Sequence, residues 1–285
     1  MGQFIRNYML DRISSLCNRA ANGFDHLSKF SRKQKSRTAD YRRHRSLVRR
    51  NNKINGSLAN QRAFIIGTGP SLKLNNLQFL EDEITFAVNG FWTHPINRQY
   101  APSFYCLLDS LFFGDEPEAK SLLCNIKDAV RGTRFILPAS LASRHFAVSD
   151  LVLDPIFVSF SGEIEKLNSI PNLAYDIPII HNVVQFALAA AMYMKCNPIY
   201  LIGCDHNFVA TSGLLNHFHG GNSVDIPLST PKMEETFDKA GKVWRGYRRL
   251  RCIAERNGIE IYNATYGGEL DVFDRKNFDD LFSIN

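Results

Sequence analysis

The feature that most constrains the fold is a series of short apolar runs that begins after Arg62 and alternates with helical stretches. Each run has the length of a strand and is apolar along most of it, as expected of a strand covered on both faces. Such alternation predicts an α/β, Rossmann-like three-layer fold with a mostly parallel central sheet. The predicted strands are Ala63–Gly67, Ile84–Asn89, Ser103–Asp109, Arg134–Pro138, Pro198–Gly203 and Ile259–Asn263.

Three stretches between these runs have helical periodicity: Glu116–Val130, Val183–Cys196 and Met233–Asn257. The last ends at Asn257-Gly258, a typical C-terminal stop signal for a helix.

The N-terminal part of the chain differs sharply from the rest in charge. Met1 to Arg62 contains 15 Lys and Arg against 3 Asp, a net charge of +12, so the remainder carries −6 of the total of +6. Large apolar residues are few after the first twenty positions, and such a segment contributes little core. The sequence therefore predicts two parts, a basic, partly helical arm or linker over 1–60 and an α/β domain over 61–285.

Two partners suit the arm. Apolar residues at helical spacing near the N-terminus, such as Phe4, Met9 and Ile13, are typical of an amphipathic helix on a membrane surface. Clustered Lys and Arg gain about 1 kcal/mol each near an anionic leaflet. Nucleic acid is the alternative partner, but no recognition motif accompanies the charge, so we do not expect it.

The composition indicates a cytoplasmic protein, peripheral at the inner face of a membrane if the arm binds there. No run is apolar enough to span a bilayer, and the charged N-terminus is unlike a signal peptide. The six cysteines show no C-x-x-C spacing, which fits a reducing compartment without zinc.

A glycine-containing turn follows the first predicted strand and is formed by Gly67, Thr68, Gly69, Pro70 and Ser71. Two glycines let the backbone approach a ligand, and the amides with the Thr68 and Ser71 hydroxyls are expected to face an anion. The turn matches neither a Walker loop nor G-x-G-x-x-G, so a simple tight turn remains the alternative.

Polar residues also stand at other strand ends and at a helix start. Asn89 ends the second strand, and Gly203, Cys204 and Asp205 follow the fifth. Ligands of open parallel sheets bind outside the carboxyl ends of strands, so these residues are expected at one site. Asn182 begins the second helix, where it suits both an N-cap and a phosphate contact.

Three histidines, His206, His217 and His219, lie in or beside a Gly- and Asn-rich segment that starts at Asp205. Their spacing matches no zinc pattern, although a metal site is the alternative. An imidazole with a pKa near 6.5 can remove a proton from an acceptor hydroxyl, and we expect His217 to be this general base.

The ordered motifs resemble two bacterial groups. They are similar to those of the small CMP-sialic-acid-dependent sialyltransferases, and overall the chain resembles more closely the surface-polysaccharide proteins of the 6-hydroxymethylpterin diphosphokinase MptE-like family. The motifs that carry the resemblance are Gly67-Thr68-Gly69-Pro70-Ser71-Leu72, Val88-Asn89, Ser110-Leu111-Phe112-Phe113, Ile199-Tyr200-Leu201-Ile202-Gly203-Cys204-Asp205 and Asn216-His217-Phe218.

The sialyltransferase resemblance implies roles for individual residues. Thr68 and Asn89 would contact the nucleotide, the Gly203-Cys204-Asp205 turn would hold cytidine and ribose, and His217 would be the base. The chain departs from that family at Asn182-Val183-Val184 and at Asn207-Phe208, where sialic acid and phosphate contacts are expected. The nucleotide frame is thus better matched than the sugar.

Two enzymatic functions follow from these observations. The first is a glycosyltransferase of surface glycan synthesis, with a nucleotide-sugar donor, a glycan or lipid-linked glycan acceptor and no required cofactor. The second is a magnesium-dependent diphosphokinase, for which Asp109 and Asp205 would supply a carboxylate pair.

Overall fold

The computed structural model describes residues 44–109, 112, 117–141, 155–207 and 233–283. All of these residues lie in one compact unit, His44–Asn285. The expected arm up to residue 43 and the expected base His217 lie outside the described residues. Within the described ranges, no helix combines the length and apolar character needed to cross a membrane.

Nine parallel strands form the central sheet, in the order β6-β5-β4-β3-β2-β1-β7-β8-β9. The predicted α/β fold with a parallel sheet is thereby confirmed, and all six predicted strands are present. The strands are β1 (Ala63–Ile66), β2 (Ile84–Val88), β3 (Phe104–Cys106), β4 (Arg134–Pro138), β5 (Ile156–Glu163), β6 (Asp176–Ile179), β7 (Ile199–Ile202), β8 (Ile261–Asn263) and β9 (Asp274–Arg275).

The described α-helical segments are α1 (44–49), α2 (Pro117–Ala129), α3 (Val183–Tyr193) and α4 (Met233–Arg256). Helix α3 is buried from Val184 to Tyr193, because it lies against β1, β2 and β3 on one side and against α4 on another. A helix that is apolar on all sides requires such a central position. Helix α4 stops at the predicted Asn257-Gly258, where Gly258 has a φ of +67°.

Alternate residues of β1 face two separate apolar layers. Ala63 and Ile65 belong to the layer that contains α3 and α4, whereas Phe64 and Ile66 belong to the layer on the other face of the sheet. The sheet is therefore covered on both sides, as the continuous apolar strands predict.

The compact unit begins before the predicted domain boundary at residue 61. Val48 and Ile54 are buried, and Asn51 is buried with its Nδ2 donating to the carbonyls of Phe157 (2.7 Å) and Leu173 (2.8 Å). Residues 44–60 therefore contribute to the core, although their charge had placed them in the arm. Arg45, Arg50 and Lys53 stay exposed and Arg49 is half-buried, while the apolar positions between them pack inward.

The order in which the chain adds strands to the sheet reverses between β1 and β7. From β1 the chain proceeds through β2 to β6 along one side, and β7, β8 and β9 extend the sheet on the other. In open parallel sheets a ligand crevice is expected outside the carboxyl ends of the two strands where the order reverses, here β1 and β7.

Candidate functional site

The turns that follow β1 and β7 are in direct backbone contact. The amide of Gly67 donates to the Ile202 carbonyl and that of Gly69 to the Gly203 carbonyl, both at 2.8 Å. A Cβ atom at Gly67 would lie 2.3 Å from the Gly203 oxygen, and one at Gly69 would lie 1.8 Å from Asp205 Oδ2. Both positions therefore require glycine because the two turns touch.

Asp205 connects the turn after β7 to the turn after β1 through hydrogen bonds. Its Oδ1 accepts from the Ser71 amide at 3.1 Å, and its Oδ2 accepts from the Ser71 hydroxyl at 2.7 Å. The amides of Gly67, Gly69 and Ser71 thus donate to β7 and its turn. The sequence had led us to expect these amides to face a bound anion. Thr68, between the two glycines, is half-buried.

The other residues of both turns are structural in their contacts. Pro70 begins a 3₁₀ turn, Pro70–Leu74. The Cys204 amide donates to Thr265 Oγ1 at 3.0 Å, and burial of the thiol raises its pKa, so Cys204 stays protonated at neutral pH. Gly203 has a φ of +61°, which glycine adopts without strain.

A loop after β8 covers the β7 turn from the opposite side. The Glu269 amide donates to the Asp205 carbonyl at 2.7 Å, and a Cβ atom at Gly268 would lie 2.7 Å from Asp205 Cα. From β9, the Arg275 guanidinium donates to the carbonyls of Gly267 (2.6 Å) and Gly268 (2.8 Å). Sequence reasoning missed this loop, because its residues carry no recognised motif.

Asn89 follows β2, next to β1, in a left-handed conformation with a φ of +45°. The Tyr105 hydroxyl donates to its carbonyl and accepts from the Trp92 amide at 2.8 Å, which fixes this turn. The Asn89 Oδ1 atom is buried without a hydrogen-bond partner in the described part of the chain. Buried polar atoms are almost always paired, so this oxygen is a candidate contact for a ligand.

Asn182 is the N-cap of α3, as predicted, and accepts from the Gln185 amide at 2.8 Å. Its Nδ2 donates to the Tyr247 hydroxyl at 3.0 Å and lies 3.3 Å from His206 Nε2. His206 follows Asp205 directly, so Asn182 is joined to the β7 turn through this cluster.

Burial lowers the pKa of His206 to about 4, and the Cys204 carbonyl, 3.1 Å from Nδ1, opposes that shift. The imidazole is therefore neutral at pH 7. The rings of Trp244 and Tyr247 meet it edge-on, with centroid distances of 5.7 and 5.3 Å. These aromatic residues of α4 were not anticipated, because helical periodicity predicts which face is buried but not what it meets.

Asp109 stands apart from this arrangement. It is exposed beyond the end of β3, which is separated from β7 by β2 and β1. At a strand spacing of about 4.8 Å, the ends of β3 and β7 are about 14 Å apart. The expected pair of Asp109 and Asp205 is therefore not formed at the strand ends.

The fold and the crevice define an α/β protein of the Rossmann-like type, with its candidate ligand site where the strand order reverses. The chain belongs to the 6-hydroxymethylpterin diphosphokinase MptE-like family, whose model matches residues 36–211. That range includes both turns, Asn89 and Asn182, and ends before His217. No curated protein matches the chain.

Solved structures give weaker likenesses. The MAf glycosyltransferase from Magnetospirillum magneticum AMB-1 is 15% identical with a TM-score of 0.49, over 83% of this chain and 39% of its own. The chain thus spans about two fifths of that protein. The sialyltransferase CstII from Campylobacter jejuni, in complex with cytidine-5'-monophosphate, is 15% identical with a TM-score of 0.46, over 77% of this chain and 87% of its own. These values carry no information on substrate.

Proposed function

We propose that the chain is a transferase that takes a sugar from a nucleotide-activated donor, in the manner of glycosyltransferases that make bacterial surface glycans. The observation that supports this most is the buried Asn89 Oδ1, which has no hydrogen-bond partner among the described residues. Leaving such an atom unpaired costs about 1–3 kcal/mol, which a donor N–H or O–H group of a ligand would recover. Asn89 and Thr68 follow neighbouring strands beside the crevice, where nucleotides bind in such sheets.

The proposed reaction is a substitution at the anomeric carbon of the donor sugar. The acceptor hydroxyl forms the new C–O bond, the bond from that carbon to the nucleotide phosphate breaks, and the phosphate leaves with the electron pair. A general base receives the hydroxyl proton, and we propose His217 for this role. Replacement of His217 by alanine is expected to lower kcat by ~10² to 10⁴ while nucleotide affinity stays nearly unchanged.

The second candidate is a magnesium-dependent diphosphokinase, favoured by the description of the family. Such an enzyme needs carboxylates close to the phosphates. Both carboxylate oxygens of Asp205 accept hydrogen bonds from Ser71. Asp109 follows β3, which is three positions away from β7 in the sheet. This carboxylate pair does not fit one magnesium ion, so we prefer the glycosyltransferase.

A thermal-shift screen of the full chain separates the two candidates. CMP, CDP, UDP, GDP and ATP are each tested with and without magnesium, because a ligand stabilises by RT ln(1 + [L]/Kd). We expect CMP to raise Tm without magnesium, and Asn89→Ala to lose this shift. Asn52→Ala, at an exposed asparagine, is the matched control and should keep it. Stabilisation by ATP alone, and only with magnesium, would instead favour the diphosphokinase.

A further inference from the structure

His206 lies where three elements of the fold meet. Its backbone continues the β7 turn after Asp205, and its Nε2 lies 2.9 Å from the Tyr247 hydroxyl of α4 and 3.3 Å from Asn182 Nδ2 at the start of α3. Its φ of +56° is left-handed, a conformation that a non-glycine residue seldom adopts. The imidazole is therefore held by a specific set of contacts and not by packing alone.

The hydrogen-bond partners determine which nitrogen carries the proton. Nδ1 lies 3.1 Å from the Cys204 carbonyl, which can only accept, so Nδ1 must be the protonated nitrogen. In the neutral ring Nε2 is then an acceptor. The Tyr247 hydroxyl can donate its proton to Nε2, because the same hydroxyl accepts a hydrogen bond from Asn182 Nδ2 at 3.0 Å.

The alternative orientation of the Tyr247 proton is less favourable. Asn182 Oδ1, at 3.3 Å from the Tyr247 hydroxyl, already accepts from the Gln185 amide at 2.8 Å. His206 Nε2 is closer to the Tyr247 hydroxyl, at 2.9 Å. A single directed chain of hydrogen bonds thus runs from Asn182 through Tyr247 and His206 to the β7 turn.

We propose that His206, as the neutral Nδ1–H tautomer, is a positioning residue that fixes the N-cap of α3 and the β7 turn relative to each other, and is not the base of the reaction. Its Nε2 lone pair is occupied by Tyr247, so it is not available to take a proton from an acceptor. Its role for nucleotide binding rests on the proposed function, but the tautomer does not.

The tautomer is read directly from ¹⁵N NMR of the full chain labelled in histidine, recorded without nucleotide at pH 7. We expect the His206 signals to show a protonated Nδ1 and an unprotonated Nε2. Tyr247→Phe removes one hydroxyl and keeps the ring, so it should preserve the fold while shifting His206 away from the pure Nδ1–H form. A wild-type His206 that is protonated at Nε2 would overturn the proposal.

Nucleotide affinity tests the positioning role. Tyr247→Phe is expected to weaken CMP binding by roughly 5- to 10-fold, the worth of one hydrogen bond. Tyr262→Phe is the matched control, because the hydroxyl of Tyr262 on β8 bonds the exposed Glu260. Unchanged CMP affinity in Tyr247→Phe would contradict the positioning role. If wild-type protein failed to bind CMP at all, the proposed donor would be wrong, while the NMR result would still decide the tautomer.

Discussion

At the ends of β1 and β7, atoms of one turn lie where a side chain of the other turn would begin. Gly67 and Gly69 are recognisable in the sequence as a turn, but not the reason for them, because their contact with Gly203 and Asp205 joins residues more than 130 positions apart. Local patterns predicted that these residues meet at one edge of the sheet. They did not predict that the amides would be used in fastening the turns together.

Gly69→Ala tests that fastening. Its new methyl group would collide with Asp205 Oδ2 and with the Gly203 carbonyl at 2.7 Å, so we expect a loss on the order of 3 kcal/mol in the free energy of unfolding. Gly241→Ala in α4 is the control, since among the described residues its Cβ would meet only the tip of Arg245 at 3.3 Å, and alanine favours a helix. Urea denaturation measures both, and equal stability of the two variants would contradict the contact argument.

At the level of elements, strands with continuous apolar runs were predictable and the others were not. The apolar run of β6 is short, begins after Asp176 and is interrupted by Pro178, and β9 has only the exposed Asp274 and Arg275, so neither reads as a strand in the sequence. β5 begins with apolar residues but ends in Ser161, Gly162 and Glu163, so its sequence does not form a continuous apolar run. These strands exist because a neighbouring strand offers a free edge, a condition that no local pattern records.

The junction of β7, α3 and α4 at His206 predicts a pH-dependent stability. The unfolded imidazole has a pKa near 6.5, and burial lowers the folded pKa to about 4. Between these values the unfolded chain binds more protons, so the free energy of unfolding falls as the pH is lowered. His206 alone should account for about 2 kcal/mol between pH 7 and 5.

Burial also lowers the pKa of His94 and His181, which adds to the loss with the same sign. His206→Asn isolates the contribution of His206, because asparagine tolerates a left-handed backbone and does not titrate. Urea denaturation at pH 7 and pH 5 should show a smaller pH effect in this variant than in the wild type. The same pH effect in both proteins would mean that His206 does not titrate as proposed.

For the whole molecule, the boundary of the compact unit differs from the boundary of charge. The net charge defines a basic N-terminal segment of the sequence, because Lys and Arg are counted regardless of where they lie in the fold. It could not show that Val48, Asn51 and Ile54 are buried, since three inward positions among many basic residues give only a weak periodic signal. A contact across the fold, such as that of Asn51 with Phe157 and Leu173, decides where a domain begins.

Truncation distinguishes the two boundaries. A chain that starts at His44 is expected to unfold cooperatively like the full chain, because the compact unit begins there. A chain that starts at Gln61 loses the buried side chains and the two hydrogen bonds of Asn51, and should melt at a much lower temperature or fail to fold. Calorimetry of both chains provides the measurement, and equal melting temperatures would show that 44–60 are dispensable.

The same pair of chains bears on the membrane proposal. If the arm binds anionic lipid, the chain that starts at His44 should sediment with anionic vesicles less than the full chain does, with the difference vanishing in high salt. Equal sedimentation would place the binding elsewhere.

The meeting of the two glycine turns has a consequence for how such chains are compared. A glycine that is required because two backbones touch reports the architecture that it holds together, whatever substrate the chain binds. Two sequences that share Gly-x-Gly after one strand and Gly-x-Asp after another are therefore expected to share this contact between turns. Differences in what they act on have to be sought at positions such as Thr68 and Asn89, whose side chains the contact does not require.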